Sequence, residues 1–209
     1  MHPTRPLLNL GVLASGKGSN FQAIAEHIYQ GHLHARIRVV IYNNPGATVA
    51  SKAQVQGIPA VLLDHRQYPQ REALDQAIVE VLQAYGVELV VMAGWMRLVT
   101  PVLITAFPER IVNIHPSLLP SFKGAKAVEQ ALSYGVKVTG CTVHLVELAV
   151  DSGAVLAQRA VPVLPGDTVQ TLAERIQIQE HEVLPEVLQH FALEQVQIQG
   201  REVWFKTEN

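Results

Sequence analysis

The sequence predicts an α/β protein: an open, mostly parallel sheet with helices on both faces and an antiparallel extension in the C-terminal third. Two observations carry that prediction. Apolar runs of strand length alternate with helix-period segments through the first two thirds of the chain, the pattern of βαβ units. After Pro116 the pattern changes, and two strand-like runs at 137–146 and 155–163 follow one another with only 147–154 between them. With 209 residues, 48% hydrophobic and 16% charged, the composition is that of an ordinary globular domain.

Strands are expected near 7–14, 36–42, 59–63, 88–92 and 111–114, and helices over 19–30, 47–56, 70–85 and 100–107. The third helix shows why. Ala73, Ala77, Val81 and Ala84 share one face, while Glu72, Gln76, Glu80 and Gln83 lie away from it. Ser117 to Gly124 has neither period and reads as a loop, with 118–126 a candidate lid. A short helix near 126–133 leads into the two late strands. Pro165-Gly166-Asp167-Thr168 reads as a turn with a helix cap, and 171–188 as a long helix interrupted near Pro185. The tail, 196–205, alternates like a small hairpin. No repeat, linker or low-complexity block divides the chain, so one domain is expected.

Sixteen Lys and Arg against 18 Asp and Glu leave a net charge of −2, which gives no reason to expect a nucleic-acid partner. The single cysteine, Cys141, cannot form an internal disulfide, fits a reducing compartment and reads as buried packing. Residues 1–6 hold two prolines and one basic residue before a run too polar and short for a secretory signal. The apolar stretch 87–96 contains Glu88 and falls far short of the ~20 residues a membrane helix needs. A soluble, cytoplasmic chain is the expectation.

Ser15-Gly16-Lys17-Gly18-Ser19-Asn20-Phe21 lies between the first strand and the first helix, where backbone amides can approach a phosphate. A dinucleotide fingerprint would need glycine at Phe21 and an acidic residue near Asn43 and Asn44, and a Walker A loop would need its lysine after the last glycine. Two readings stay open. Gly18, Ser19 and Asn20 offer donors to a small phosphate ester, or Ser19 or Asn20 simply caps the helix.

In Ile111-Val112-Asn113-Ile114-His115-Pro116, Asn113 and His115 are two apart and leave the same face of a strand. At the carboxyl end of a parallel strand, that face looks into the ligand crevice. An amide beside an imidazolium suits a developing oxyanion, and Asp151 is a candidate carboxylate partner for the imidazole. A polar exposed face or a hydrogen-bonded core histidine would give the same pattern. His115 and His144 are 29 residues apart and no His-x-x-x-His or cysteine pair exists, so no metal is expected.

Gly-Lys-Gly-Ser-Asn at 16–20, Asn-Ile-His-Pro-Ser-Leu-Leu-Pro at 113–120 and the Val-Asp-Ser-Gly run ending at Gly153 together resemble phosphoribosylglycinamide formyltransferases, over about 8–188. The Ser-Leu-Leu-Pro loop is shared with other 10-formyltetrahydrofolate enzymes. The Gly-Ser-Asn loop and Gln177-Ile178-Gln179-Glu180-His181 discriminate better. The resemblance implies a Rossmann-like fold and a catalytic trio of Asn113, His115 and Asp151. It places the phosphoribosylglycinamide site on Gly18, Ser19, Asn20, Gln177, Ile178, Gln179 and Glu180. It places the folate site on Arg71, Met96, Arg97, Leu98, Val99, Asn113, Glu147, Leu148, Ala149, Val150 and Asp151. Formyl transfer in purine biosynthesis is implied, with 10-formyltetrahydrofolate as co-substrate and no metal. Residues from about 1 to 110 would form a phosphate- and nucleotide-binding half, about 111–190 a catalytic and folate-binding half, and 191–209 a tail. Small-molecule substrates, no nucleic-acid or membrane partner, and a monomer or homodimer complete the expectation.

The chain departs from that family at Leu148, Ala149 and Val150, where acidic residues and a glycine are common, and at Lys126, where a histidine is frequent. Lys126 either reaches the substrate phosphate or faces solvent. Three other functions are weighed. A deformylase would use the same trio on water, but the first strand opens at about Leu7, without room for that family's amino-terminal domain. A transfer-RNA formyltransferase would need a basic C-terminal domain, and 189–209 holds only Arg201 and Lys206 as cations. A non-catalytic binding module would be expected to have lost a catalytic side chain, and none is lost.

Overall fold

The computed structural model describes residues 5–206. Residues 1–4, most of the segment read above for an export signal, and 207–209 lie outside the described residues. In chain order the elements are β1 (Leu8–Ala14), α1 (Ser19–Tyr29), β2 (Ala35–Tyr42), α2 (Thr48–Val55), β3 (Ala60–Leu62), α3 (Arg71–Ala84), β4 (Leu89–Met92), α4 (Pro101–Ala106) and β5 (Ile111–His115). Then follow α5 (Ala127–Tyr134), β6 (Val138–Leu145), β7 (Val155–Pro162), α6 (Val169–Ala192), β8 (Val196–Gln199) and β9 (Glu202–Phe205). A 3-10 turn at His65–Gln67, not expected from the sequence, is held by the Asp64 side chain, which accepts from the Arg66 amide. Three residues are too few to show a helical period.

Seven strands form one sheet in the order β3-β2-β1-β4-β5-β6-β7. The first five run parallel; β6 lies antiparallel to β5, and β7 antiparallel to β6. β8 and β9 form a separate two-stranded antiparallel sheet. The fold class read from the sequence therefore holds. Period-2 alternation divides the apolar side chains between two cores. Leu10, Val12, Val91, Val112 and Ile114 pack with Phe21 and Ile24 of α1, Val49 of α2, and Leu172 and Ile176 of α6. Leu13, Ile41, Val90 and Ile111 pack on the other face with Leu74 and Ile78 of α3 and Leu103 of α4.

The chain leaves β1 towards β2 and β3, then returns to β4 on the other side of β1. That reversal opens a crevice at the carboxyl ends of β1 and β4, where α/β sheets bind ligands. The loops 15–18 and 93–100 leave those two ends, and 116–126 leaves the adjacent β5.

Two expectations are overturned. α3 meets the sheet not through Ala73, Ala77, Val81 and Ala84, of which Ala73 and Ala84 are exposed, but through the larger apolar side chains Leu74, Ile78 and Leu82 of the neighbouring stripe, which bury more apolar area. α6 is not interrupted near Pro185 but runs unbroken from Val169 to Ala192 with Pro185 inside it. A mid-helix proline costs about 3 kcal/mol through its lost hydrogen bond and ring clash. Here Val183, Leu184, Pro185, Val187 and Leu188 are all buried, and that packing outweighs the local cost. The helix starts on a capping box: Thr168 Oγ1 accepts from the Thr171 amide at 3.2 Å, and Thr171 Oγ1 accepts from the Thr168 amide at 3.0 Å.

Cys141 is buried in β6, and its thiol is pushed up to about 12, chiefly by burial. Among the described residues no helix is long and apolar enough to cross a membrane. Leu172, fully buried where α6 meets the sheet, should cost about 3 kcal/mol when replaced by alanine, read as a lower urea midpoint at unchanged slope.

Candidate active site

Gly18 precedes α1 with φ 65, and a Cβ there would lie 2.5 Å from Val49 Cγ2, so both the backbone conformation and the space exclude a side chain. No side chain caps α1. That decides against the capping alternative and leaves the first amides of the helix without a side-chain acceptor. Ser19 and Asn20 turn instead towards α6. Gln177 Nε2 donates to Ser19 Oγ at 2.9 Å, and Asn20 Nδ2 donates to Glu180 Oε2 at 3.0 Å, joining residues 158 and 160 apart in sequence.

Gln177 and Glu180, three apart, share a face of α6, while Ile178 is exposed. Burial raises the pKa of Glu180 and the Asn20 hydrogen bond opposes that rise. Asn20 Oδ1 is buried without a hydrogen-bond partner. A buried carboxyl group beside an unfilled carbonyl oxygen calls for a ligand group rich in donors, such as an amine.

The second cluster forms on β5 and β6. Their antiparallel register sets Asn113 opposite His144 and His115 opposite Thr142, so four polar side chains share one face of the sheet. The segment 147–153 brings Asp151 back over that face. Asp151 Oδ2 lies 3.4 Å from His115 Nδ1, and Oδ1 lies 3.6 Å from His144 Nε2. The Gly124 amide donates to Asp151 Oδ2 at 2.7 Å. Burial would raise the Asp151 pKa, but the His144 contact, the Gly124 amide and the charges of His115 and His144 outweigh it and bring the pKa from 3.8 down to about 2.

His115 Nε2 lies 2.9 Å from the Phe122 carbonyl oxygen. Both ring nitrogens thus face acceptors, Asp151 on one side and the Phe122 carbonyl on the other. Asn113 Nδ2 is 3.0 Å from His144 Nε2, while His144 Nδ1 is 2.7 Å from the Leu145 carbonyl oxygen. His144 Nδ1 donates to that carbonyl, and its Nε2, between Asp151 and Asn113, fixes which way the Asn113 amide points. Sequence reasoning weighed His144 only as a metal ligand. Its signal was alternation, since Thr142 and His144 are the polar positions of the run Cys141 to Leu145, but only the register reveals its neighbour.

Asp151 itself has φ 46, and Gly153 packs so closely that a Cβ would sit 1.9 Å from the Leu145 carbonyl oxygen. Thr142 Oγ1 donates to the Ser117 carbonyl at 2.7 Å and accepts from the Leu119 amide at 3.0 Å, anchoring the start of 116–126. Lys126 faces solvent, paired with Glu129 at 3.2 Å.

The remaining folate-site expectations fall on the loops after β4 and β6, the two neighbours of β5. Met96 and Leu98 on the first, and Leu148 and Val150 on the second, are exposed apolar side chains; Glu147 and Ala149 are exposed beside them. Arg97 and Val99 are half-buried, and the Arg97 Nε is buried without a partner. Arg71 is exposed at the first position of α3. The two loops thus leave apolar side chains open on either side of the polar cluster. No group of three or more His, Cys, Asp or Glu among the described residues is arranged to hold a metal ion.

The chain matches the formyl transferase family over residues 8–188 and belongs to it. More particularly, it is 41% identical over 177 residues to the phosphoribosylglycinamide formyltransferase of Bacillus subtilis (strain 168), covering 85% of this chain and 91% of that protein. It superposes on glycinamide ribonucleotide transformylase 1 from Symbiobacterium toebii with a TM-score of 0.94 at 49% identity, covering 95% of this chain and 94% of that one. It is also 43% identical over 201 residues to the human trifunctional purine biosynthetic protein adenosine-3, covering 95% of this chain. It spans only 20% of that larger protein's length.

Two outcomes are expected. Because the Asp151 pKa is depressed from 3.8 to about 2, its ionised form stabilises the fold above about pH 4, and that contribution fades as pH falls through about 2. The stability advantage of wild type over Asp151→Asn, from denaturant unfolding, should be level from neutral pH to about 4 and shrink below it. His144→Ala should lower kcat about tenfold through a freed Asn113 amide, with the KM of the amine substrate unchanged in steady-state kinetics.

Proposed function

We propose that this chain transfers the formyl group of 10-formyltetrahydrofolate to the amine of 5′-phosphoribosylglycinamide, giving formylglycinamide ribonucleotide and tetrahydrofolate in purine biosynthesis. The observation that carries this reading is the junction of the uncapped α1 N-terminus with the buried Glu180. One end of that junction suits a phosphate and the other the hydrogen-bond donors of the ribose and glycinamide part beside it, a site that a water-using deformylase does not need. The phosphate end comes from Gly18, Ser19 and Asn20 in the N-terminal half. The ribose and glycinamide end comes from α6 in the C-terminal half, through Gln177 and Glu180, with Ile178 and Gln179 beside them. Met96, Arg97, Leu98 and Val99 form one wall of the folate slot and 147–151 the other, and Arg71 offers a cation to the folate's anionic tail.

The mechanism follows from the second cluster. As the amine nitrogen attacks the formyl carbon, the carbonyl electrons move onto oxygen. The Asn113 amide N–H and the His115 imidazolium stabilise that oxyanion. The Phe122 carbonyl holds the place at His115 Nε2 that the oxyanion would take, so the 118–126 segment yields as the formyl group enters. Collapse expels the folate nitrogen. Asp151 holds His115 charged and orders a water that carries the proton from the attacking amine to that nitrogen. Alignment and oxyanion stabilisation supply the rate, and no covalent enzyme intermediate is needed. On this reading the chain works in the cytoplasm on small molecules, as a monomer or homodimer, without a metal.

A spectrophotometric assay of formyl-folate consumption, with and without phosphoribosylglycinamide, tests the reading. Consumption that requires the amine substrate is expected. Consumption without it would indicate a deformylase, and none under either condition a binding module. Asp151→Asn should lower kcat at least about a hundredfold, with both KM values within about threefold of wild type.

A further inference from the structure

Asp75 is a buried carboxylic acid that the mechanism above does not use. It lies on α3, one helical turn after Arg71, and is 2% exposed among the apolar residues Leu74, Ile78 and Val79. Burial pushes its pKa up, and hydrogen bonds from Thr100 oppose that rise. Its Oδ2 accepts from the Thr100 backbone amide at 2.5 Å. Thr100 is itself 2% exposed, and its Oγ1 caps α4 by accepting from the Val102 amide at 3.3 Å. A carboxyl group where a leucine would pack needs compensation, and here that compensation comes at one point, Thr100, through its backbone amide and its side chain.

That point is the far end of the 93–100 loop. Its near end is pinned by Ser15, whose amide donates to the Gly94 carbonyl at 3.0 Å and whose Oγ accepts from the Met96 amide at 2.8 Å. Between the two pins, residues 97–99 have no regular secondary structure, and Met96 and Leu98 project their apolar side chains into the open. Exposed apolar side chains on an irregular loop keep a binding shape only if the backbone beneath them is held.

We infer that Asp75 is a positioning residue for the folate slot, fixing residues 96–99 through the Thr100 amide. The inference rests on the formyl-transfer reading for the identity of the ligand. It does not rest on it for the restraint itself.

Asp75→Ala leaves the Thr100 amide without an acceptor. It should raise KM for 10-formyltetrahydrofolate about tenfold, with kcat and the KM for phosphoribosylglycinamide within about threefold of wild type. Asp75→Leu, which fills the space without an acceptor, should do the same and serves if the alanine variant does not fold. Asp75→Asn, whose amide oxygen can replace Oδ2, should return the folate KM to within about threefold of wild type. Equal changes in both KM values, no change in either, or an asparagine variant no better than alanine would overturn the role.

Wild type is assayed in parallel. If wild type shows no amine-dependent consumption, the functional reading fails, and hydrogen exchange then decides the restraint. Faster exchange at 96–100 in Asp75→Ala, with 177–180 unchanged, supports it; unchanged exchange at 96–100 overturns it.

Discussion

The Asp151 carboxylate ties together three parts of the chain that separate in sequence. It meets His115 at the end of β5, His144 on β6 and the Gly124 amide in the loop after β5. Take away the side chain and each partner loses something different: His115 the oxygen facing its Nδ1, His144 the oxygen facing its Nε2, and the 116–126 loop its tether. Burial alone would favour a neutral acid, so the carboxylate persists only because its partners outweigh desolvation. The same arrangement that orders the cluster therefore keeps Asp151 ionised.

Much of the architecture was legible in the sequence because its signals are local. Strand and helix periods, the Pro165 to Thr168 turn and the glycine loop all act over a few residues. Pro185 misled because a local helix breaker was overruled by the tertiary packing of Val183, Leu184, Val187 and Leu188. The site was legible in part. Asn113 and His115 share a face by simple alternation, but their meeting with His144 depends on β5–β6 register and that with Asp151 on the fold of 147–153. Neither can be read from spacing. Gln177 and Glu180 became candidates through family resemblance, and their contacts with Ser19 and Asn20 bridge more than 150 residues.

Sheet order explains how the two polar clusters come to lie along one edge of the sheet. β1, β4 and β5 are adjacent and parallel, so the loops that follow them emerge along one edge. The antiparallel β6 adds polar side chains beside those of β5, and α6 crosses beneath to reach the α1 N-terminus. The meeting of these side chains is thus built into strand order and does not depend on long loops reaching for one another.

The buried Cys141 has a practical consequence. It is the only thiol in the chain, and its burial and raised pKa leave almost no reactive thiolate at neutral pH. The native protein is therefore a ready background for site-selective maleimide labelling. A cysteine introduced on the exposed hairpin of β8 and β9 would take a fluorophore alone, with no need to remove the natural residue first.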